Sequence, residues 1–428
     1  MKVNTEYPFR DLGVSNALGI GTFPRHRWYF VKEGFSPDLV RLAIEAEDIK
    51  RGEFMIDPFS GSGTVALTGA LAGLNTQAFE VNPFLRFLSS TKLRDASGVE
   101  FRKSSLIVHR ALEKSIKSPL EGYSTFTSGN RWSRWLFPTP ILRTFEAGQR
   151  AAADSPIGHR GLLKLALIGA AMDCCNATRD GKCLRYPKGW AENEATPARF
   201  RANFLDRVSM MAEDLSKVPL PRYAAAVKEG DARRLIPKME NKFRLCITSP
   251  PYLNSFDYSD VYRPELFLGQ FVKSTDSLMR VRLRTIRSHI QASWKNPTKD
   301  QFGALYANCI AEIRERIHDL WNPRIPTMIQ AYFEDMEGVL RSLRTKARKN
   351  ASLWLVVSTS AYAGIEVPVD LILAEVGQRS GWYLREIGVL RYLRSSPQHV
   401  QHVDEKNSKS VPLRESVVIF DALPNRLR

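Results

Sequence analysis

The segment Thr248 to Tyr252 combines residue types that can hold an amino group attached to an aromatic ring. It reads Thr-Ser-Pro-Pro-Tyr and directly follows an apolar run. The consecutive prolines Pro250 and Pro251 restrict the backbone and leave carbonyl groups without local amide partners. The Ser249 hydroxyl and the Pro250 carbonyl can then accept two hydrogen bonds in fixed directions, while the Tyr252 ring stacks on the bound ring. On its own, such a segment is more often a stiff surface turn.

A second segment, residues 57–64, has the composition of a ligand-binding turn. It reads Asp-Pro-Phe-Ser-Gly-Ser-Gly-Thr between a strand-like run and a helix-like run. Glycine lets a ligand approach the backbone, and a helix amino end offers free amides. Gly61, Gly63 and Ala66 fit the Gly-x-Gly-x-x-Gly/Ala dinucleotide pattern, and Glu80 lies where a carboxylate would bind ribose hydroxyls. This pattern alone fits both a nicotinamide dinucleotide and S-adenosylmethionine.

The acidic residue that opens this turn favours S-adenosylmethionine. A carboxylate at Asp57 would repel a pyrophosphate, but it suits the cationic methionine part of S-adenosylmethionine. We therefore expect the donor to be bound by Asp57, Pro58, Phe59, Gly61, Ser62, Gly63, Thr64 and Glu80.

Together the two segments indicate methylation of an exocyclic amino group. The amino nitrogen of cytosine or adenine is a weak nucleophile because its lone pair is conjugated with the ring. Acceptors that hold both hydrogens would orient that lone pair, which is catalysis by positioning and electrostatics. Methylation at carbon 5 of cytosine would instead need a cysteine nucleophile, generally in a Pro-Cys pair, and no cysteine of this chain follows a proline.

Hydrophobic periodicity predicts the elements that position these segments. We expect strands at 53–56, 76–80, 243–247, 352–357, 383–392 and 415–420, and helices at 38–47, 64–74, 303–320 and 325–346. Strand, glycine turn, helix and strand in succession begin a doubly wound sheet. The sequence therefore predicts an α/β fold.

The chain length predicts a core with added segments. Residues 95–220 are polar and helical in pattern, with one apolar helix at 162–172. We predict residues 1–94 as the N-terminal part of the core with the donor segment and 95–220 as a mostly helical insertion for target recognition. Residues 221–428 would complete the core with the catalytic loop and a basic segment at 255–300.

The composition indicates which classes of ligand and partner the chain can bind. The net charge of +17 favours a polyanion bound through its phosphates. Five cysteines without a CxxC pair argue against disulfides and zinc, and His399 and His402 fit a solvated loop, so no metal is expected. The chain lacks a long apolar run and a secretory signal, so we expect a cytoplasmic protein without a membrane span.

Residues 57–64 and 248–252 resemble motifs of the amino-methylating, site-specific DNA methyltransferases. In that family DPFxGSGT binds the donor and (S/D/N)PPY binds the target base. The SPPY form most resembles the cytosine-N4 enzymes. The resemblance implies a Rossmann-like S-adenosylmethionine-dependent methyltransferase sheet, and the order of the motifs fits the alpha or gamma arrangement.

The resemblance also implies further donor contacts. Residues 26–37 resemble the stretch that closes over the methionine end of the donor, which implies roles for Tyr29 and Phe30. Asn82 follows Glu80 in a segment similar to the ribose-binding motif, and Asp231 resembles the acidic site near the donor's adenine.

Beyond the catalytic loop, the resemblance is partial. Asn254 and Tyr258 continue a TSPPYxNxxDY pattern of one subgroup, where loop structure and base contact are equally good interpretations. The Pro-Gly-Gly turn expected before the strand at 352–357 is replaced by Arg-Lys-Asn at 348–350.

Basic residues at three places are candidate DNA contacts. The first set, after the catalytic loop, comprises Arg280, Arg282, Arg284 and Arg287 and suits phosphates. The other two sets are interleaved with aromatic residues and comprise Arg131 and Arg134, and Arg179, Lys182 and Arg185. Such sets suit DNA grooves or splayed bases. Packing of the neighbouring tryptophans, Trp132, Trp135 and Trp190, in the core is an equally good interpretation.

The sequence thus favours a methyltransferase that acts on cytosine N4 in double-stranded DNA with base flipping. Adenine N6 is the close alternative, since the same two acceptors can hold either amino group. RNA methylation and a catalytically silent DNA-binding protein are less favoured alternatives, and a nicotinamide-dependent oxidoreductase comes last. A cognate restriction or other defence-system protein is implied as a partner by the family resemblance alone.

Overall fold

The structure is a computed structural model that describes residues 1–130, 132–180, 183–192, 194–393 and 413–424. Arg131 and Lys182 lie outside the described residues, as does the segment 394–412 with His399 and His402.

The described chain contains one large sheet and two short hairpins. Its strands are β1 (Phe54–Asp57), β2 (Asn75–Glu80), β3 (Thr178–Asp180), β4 (Cys183–Arg185), β5 (Ala225–Glu229), β6 (Phe243–Thr248), β7 (Ala347–Ser358), β8 (Ser360–Tyr362), β9 (Ile365–Val367), β10 (Tyr383–Leu393) and β11 (Leu413–Asp421). The large sheet has the order β10-β11-β7-β6-β1-β2-β5, and β3-β4 and β8-β9 are hairpins. Strands β5, β2, β1, β6 and β7 run parallel, while β11 is antiparallel to both its neighbours.

Helices connect and cover these strands. They are α1 (Pro37–Ala46), α2 (Thr64–Leu71), α3 (Pro83–Lys92), α4 (Gly98–Ala111), α5 (Thr139–Asp154), α6 (Ile157–Met172), α7 (Pro197–Lys217), α8 (Ala232–Leu235), α9 (Tyr258–Val261), α10 (Arg263–Leu268), α11 (Thr275–Arg282), α12 (Ala304–Glu315), α13 (Ile325–Lys346) and α14 (Val369–Arg379). No helix in the described parts of the chain is long and apolar enough to cross a membrane.

The sheet is buried on both faces, as expected for parallel strands between helices. In β7, Leu353 and Leu355 face one hydrophobic cluster with α13 and α14, whereas Trp354 and Val356 face another with α1. This alternation follows from the two-residue period of a strand. The predicted α/β fold with a Rossmann-like sheet is confirmed.

Helices α4 to α7 and the β3-β4 hairpin lie within residues 95–220. Their shared core contains Phe101, Phe145 and Phe204, and it continues into Phe84 of α3 and Phe267 of α10. Because one cluster joins both parts, this region packs against the sheet-bearing part through a continuous apolar core.

Some elements differ from the expected ones. Strand β5 was not expected, because its sequence Ala-Ala-Val-Lys-Glu contains only one β-branched residue and no aromatic residue. Strand β7 begins at Ala347 rather than at 352, so the Arg-Lys-Asn segment at 348–350 is part of a strand. The helix expected over 303–320 ends at Glu315.

Candidate active site

The carboxyl ends of β1 and β6 open a crevice at one edge of the sheet. The two strands are parallel neighbours, but β1 connects toward β2 on one side and β6 toward β7 on the other. Where the strand order reverses, the loops diverge and leave space for a ligand. A cavity of about 340 Å³ lies here, and it is lined by Asp57, Glu80, Gly230 and Ser249, each at or directly after a strand end.

The glycine turn, which comprises residues 57–64, forms one wall of this cavity. Six of its residues line the cavity with Asp57: Pro58, Phe59, Ser60, Gly61, Ser62 and Thr64. Gly63 lies behind that wall in the left-handed region with φ of 82°, and a Cβ there would come within 2.8 Å of the Ser89 Cβ. Gly61, with φ of 49°, faces open space instead. The turn therefore packs closely on α3 at Gly63 and stays open to a ligand at Gly61.

Asp57 is the buried acid at the base of the cavity, with only 2% of its surface exposed. Its Oδ1 accepts a hydrogen bond from the Thr248 hydroxyl at 2.7 Å and another from the Phe59 amide at 3.0 Å. Burial raises the pKa of Asp57 to about 7, because those two donors only partly offset the loss of water. A cationic ligand group would favour the charged carboxylate.

Glu80 is a second buried acid on the same wall. Its two carboxyl oxygens accept hydrogen bonds from the amides of Gly61 and Asn82, both at 2.8 Å. Burial raises its pKa to about 7, with a smaller contribution from the nearby Asp57. Asn82 caps α3 by accepting from the Phe84 amide at 3.0 Å, whereas its Nδ2 is buried with no hydrogen-bond partner in the described structure.

Asp231 borders the cavity from the loop after β5. It caps α8 by accepting from the Arg233 amide at 2.9 Å, and its carboxylate pairs with the Arg233 guanidinium at 2.8 Å. Arg233 also pairs with Asp335 at 2.7 Å. Asp231 is thus held in place from the side of α13.

The segment before α1 reaches the cavity through residues 31–35 rather than through the two aromatic residues expected there. Val31, Glu33 and Phe35 line the cavity. Tyr29 is buried outside it, donates its hydroxyl to Glu265 and packs edge-on against another ring. Phe30 is 46% exposed and lies outside the cavity as well.

The Ser-Pro-Pro-Tyr loop forms the opposite wall, and all four of its residues line the same cavity. The Tyr252 hydroxyl donates to Glu415 Oε1 at 2.5 Å. Burial raises the pKa of Tyr252 well above its ordinary value, and the Glu415 carboxylate raises it further, so the phenol remains a donor. The Tyr362 hydroxyl donates to the Leu253 carbonyl at 2.9 Å, which ties the loop to β8.

Asn254 and Tyr258 also line the cavity. The Tyr258 ring meets Phe256 edge-on, with 4.5 Å between ring centroids. Tyr262 lies nearby and donates its hydroxyl to Glu33 at 2.6 Å. The loop after β6 therefore supplies a largely aromatic wall.

The candidate DNA contacts after the catalytic loop divide into exposed and internally paired residues. Arg280 and Arg284 are exposed, and Arg284 also lines the cavity. Arg282 pairs with the buried Asp257 at 2.6 Å. Arg287 is 11% exposed and pairs with Asp335 at 2.8 Å. Buried carboxylates thus draw two of these four guanidinium groups inward, whereas Arg280 and Arg284 stay exposed.

In the insertion, Arg134 and Arg185 are exposed. The Arg134 guanidinium lies 5.8 Å from the ring centre of Tyr186. Arg179 instead points inward, where it pairs with the fully buried Glu265 and lies 4.6 Å from the ring centre of Tyr262. Arg179 is therefore placed as a structural residue.

Several residues at the site carry no local sequence signal. Glu415 and Arg391 line the cavity from β11 and β10, far along the chain from the catalytic loop. Lys92 is fully buried behind the glycine turn and donates to the Ser62 carbonyl at 3.1 Å, and burial lowers its pKa to about 7. Their places depend on strand register and helix packing, so only the structure reveals them.

The cavity suits S-adenosylmethionine by its own chemistry. Asp57 and Glu80 are buried carboxyl groups that a cation and neighbouring hydroxyls would stabilise in their charged form. Asn82 offers an unpartnered amide donor in the described structure, and Gly61 leaves space beside the backbone.

Comparison with known proteins gives related methyltransferases. No known family profile matches the chain. It is 24% identical over 393 residues to the type II methyltransferase M.AvaI from Nostoc sp. (strain PCC 7120), covering 86% of this chain and 81% of that protein. It is also 24% identical over 452 residues to the type II methyltransferase M.BsoBI from Geobacillus stearothermophilus, covering 92% and 85%. Among solved structures, the rRNA methyltransferase aviRa from Streptomyces viridochromogenes aligns with a TM-score of 0.29 and 11% identity over 96% of this chain and 90% of that one. The chain is thus similar to two type II methyltransferases over most of its length.

Proposed function

We propose that this chain is a site-specific DNA methyltransferase that transfers a methyl group from S-adenosylmethionine to the exocyclic N4 amino group of cytosine in duplex DNA. The observation that carries the proposal is a single cavity lined on one side by the glycine turn and on the other by the Ser-Pro-Pro-Tyr loop. The two type II methyltransferase relatives support the same reaction class.

In this proposal the first wall holds the donor. Asp57 binds the cationic methionine part, Glu80 the ribose hydroxyls, and Asp231 the region of the adenine. When bound, S-adenosylmethionine supplies an activated methyl group. The two buried carboxyl groups bind it best when deprotonated, because each then accepts hydrogen bonds or neutralises a cation.

The second wall holds the target base. The Ser249 hydroxyl and the Pro250 carbonyl accept the two amino hydrogens, which turns the nitrogen lone pair away from the ring system. Tyr252 provides the ring that borders the base. Because the prolines fix the loop, these acceptors need little reorganisation before reaction.

A base within duplex DNA must leave the helix to reach this cavity, so the proposal includes base flipping. Arg284 lies at the cavity and is 44% exposed, and in this proposal it contacts the backbone beside the flipped nucleotide. Arg280, Arg134 and Arg185 extend this contact as exposed cations, and the net charge of +17 supports binding to a polyanion. Arg131 and Lys182, outside the described residues, remain predicted contacts.

Adenine N6 methylation is the alternative, because both acceptors suit either amino group. A cognate restriction or defence-system protein is a further part of the proposal, which rests on the family resemblance.

The test is mass spectrometry of nucleosides from unmethylated duplex DNA incubated with the protein and methyl-labelled S-adenosylmethionine. We expect labelled N4-methylcytosine, and its loss in Ser249→Ala. Ser342→Ala, on α13 outside the cavity, is the matched control that should keep activity. Labelled N6-methyladenine would replace the cytosine assignment, and absence of label on several DNAs would refute the proposal.

A further inference from the structure

The Tyr252 phenol is held by a residue from a distant strand. Its hydroxyl donates to Glu415 at 2.5 Å, and Glu415 lies on β11, separated from β6 by β7. Only 2% of Glu415 is exposed. The catalytic loop is therefore anchored at its aromatic end by the antiparallel part of the sheet.

Arg391 completes this anchor. It is the register partner of Glu415 on β10, and its Nε donates to the second carboxyl oxygen of Glu415 at 2.6 Å. A buried carboxylate is stable only when paired and hydrogen-bonded, and Arg391 and Tyr252 supply both partners. All three side chains line the cavity.

The bond has a geometric consequence for the Tyr252 ring. The hydroxyl oxygen of tyrosine lies on the axis of the Cβ–Cγ bond, so a fixed hydroxyl fixes the rotation about Cα–Cβ and with it the position of the ring in the cavity wall. A hydrogen bond to a charged acceptor is stronger than a neutral one and holds this position better. If the Arg391 and Glu415 ion pair only joined strands β10 and β11, it would not need the Tyr252 hydroxyl as a further partner.

A second pair on the same two strands shows the contrast. Arg385 of β10 pairs with Asp421 of β11 and with the buried Glu47. None of these three residues lines the cavity. This second pair joins the sheet to the segment after α1, whereas the Arg391 and Glu415 pair faces the candidate site.

We propose that Glu415, held by Arg391, is a positioning residue for methyl transfer that fixes the Tyr252 ring in the wall of the base pocket. This inference rests on the proposed function. Glu415 acts through Tyr252 and takes no part in the chemistry itself.

The test compares Tyr252→Phe, Glu415→Gln and the double variant by initial rates of label transfer to DNA. Phenylalanine keeps the ring but loses the hydroxyl, and glutamine replaces one acceptor oxygen with a donor. We expect each single variant to lower kcat about 10- to 100-fold, because small displacements at a reacting centre have effects of this size. The double variant should lose no more than the worse single variant, since both remove one interaction. The Kd for S-adenosylmethionine, measured by calorimetry, should not change.

Asp421→Asn is the matched control, since it breaks the equivalent pair on the same strands away from the cavity. It should keep the wild-type kcat. If Glu415→Gln does not fold, Arg391→Gln tests the same anchor from its more exposed end.

Two results would overturn the inference: a Glu415→Gln variant with wild-type kcat, or losses that multiply in the double variant. Both results are compared with the rate of a wild-type protein that transfers label to DNA under the same conditions. A wild-type protein that labels no DNA would instead refute the proposed function, and the inference with it.

Discussion

The Thr248 hydroxyl donates a hydrogen bond of 2.7 Å to Asp57 Oδ1 and thereby joins the last residue of β6 to the last residue of β1. Both residues are buried. The glycine turn begins directly after one of them and the Ser-Pro-Pro-Tyr loop directly after the other. The two walls of the cavity are therefore fixed relative to each other by a bond at their common base.

The buried Asp57 is expected to lower the stability of the ligand-free protein at high pH. Its folded-state pKa of about 7 lies above the usual value near 4, so the folded state binds the proton more tightly. The protonated Asp57 therefore makes its full contribution to the free energy of unfolding below about pH 4, and this contribution is lost as the pH rises through about 7. Asp57→Asn should raise the free energy of unfolding at pH 8 by about 1–3 kcal/mol. Urea unfolding at pH 5 and pH 8 measures this, and a gain that does not grow with pH would contradict it.

Donor binding should show the opposite pH dependence. If the donor needs the carboxylate forms of Asp57 and Glu80, whose pKa values are both about 7, its affinity rises between pH 6 and pH 8. One such group changes Kd about tenfold over this range, and two groups change it more. Calorimetric titration with S-adenosylmethionine measures this. Glu80→Gln should leave a shallower pH slope, and an equal Kd at both pH values in the wild type would disprove the assignment.

Replacing each of the two glycines of the glycine turn, Gly61 and Gly63, by alanine should change the stability of the protein by different amounts. In Gly63→Ala, the new Cβ would meet Ser89 at 2.8 Å and the residue would keep a left-handed backbone. We expect a loss of several kcal/mol in the free energy of unfolding from these two effects. Gly61→Ala has open space for its Cβ, so it should lose only about 1–2 kcal/mol from backbone strain.

Donor affinity separates these two variants further. Because the Gly61 backbone lines the cavity, Gly61→Ala should weaken S-adenosylmethionine binding even where the protein stays folded. Melting temperature and Kd for both variants provide the comparison. Unchanged donor affinity in a folded Gly61→Ala protein would place the donor elsewhere.

Two neighbouring arginines should separate DNA binding from stability. Arg284 is 44% exposed and its nearest carboxylate, on Glu229, is 4.0 Å away, so Arg284→Ala should weaken DNA binding and lower the salt dependence of binding by about one phosphate contact. Arg287→Ala would remove the cation that pairs with Glu334 and one of the two cations that pair with Asp335, which keeps its bond to Arg233. It should therefore cost about 1–3 kcal/mol of stability. Fluorescence anisotropy at several salt concentrations and thermal unfolding measure the two effects. A salt slope that is unchanged in Arg284→Ala would exclude it as a phosphate contact.

The sequence by itself determined the fold class and the two segments at the cavity. Strands β6 and β7 and helix α13 follow from apolar residues at the periods of a strand or a helix, which are local properties. The acid and glycines at 57–63 and the prolines after β6 also act through their own backbone and side chains. Such features depend on few neighbours, so they can be read along the chain.

Only the tertiary structure decided which distant residues meet. Arg284 and Arg287 look alike in sequence, but a carboxylate on α13 draws only Arg287 inward. Glu415 reaches Tyr252 because the register of β10, β11 and β7 brings it to the edge of the cavity. Electrostatic pairing and strand register are set by the whole fold, and a charged residue in a sequence gives no sign of its partner.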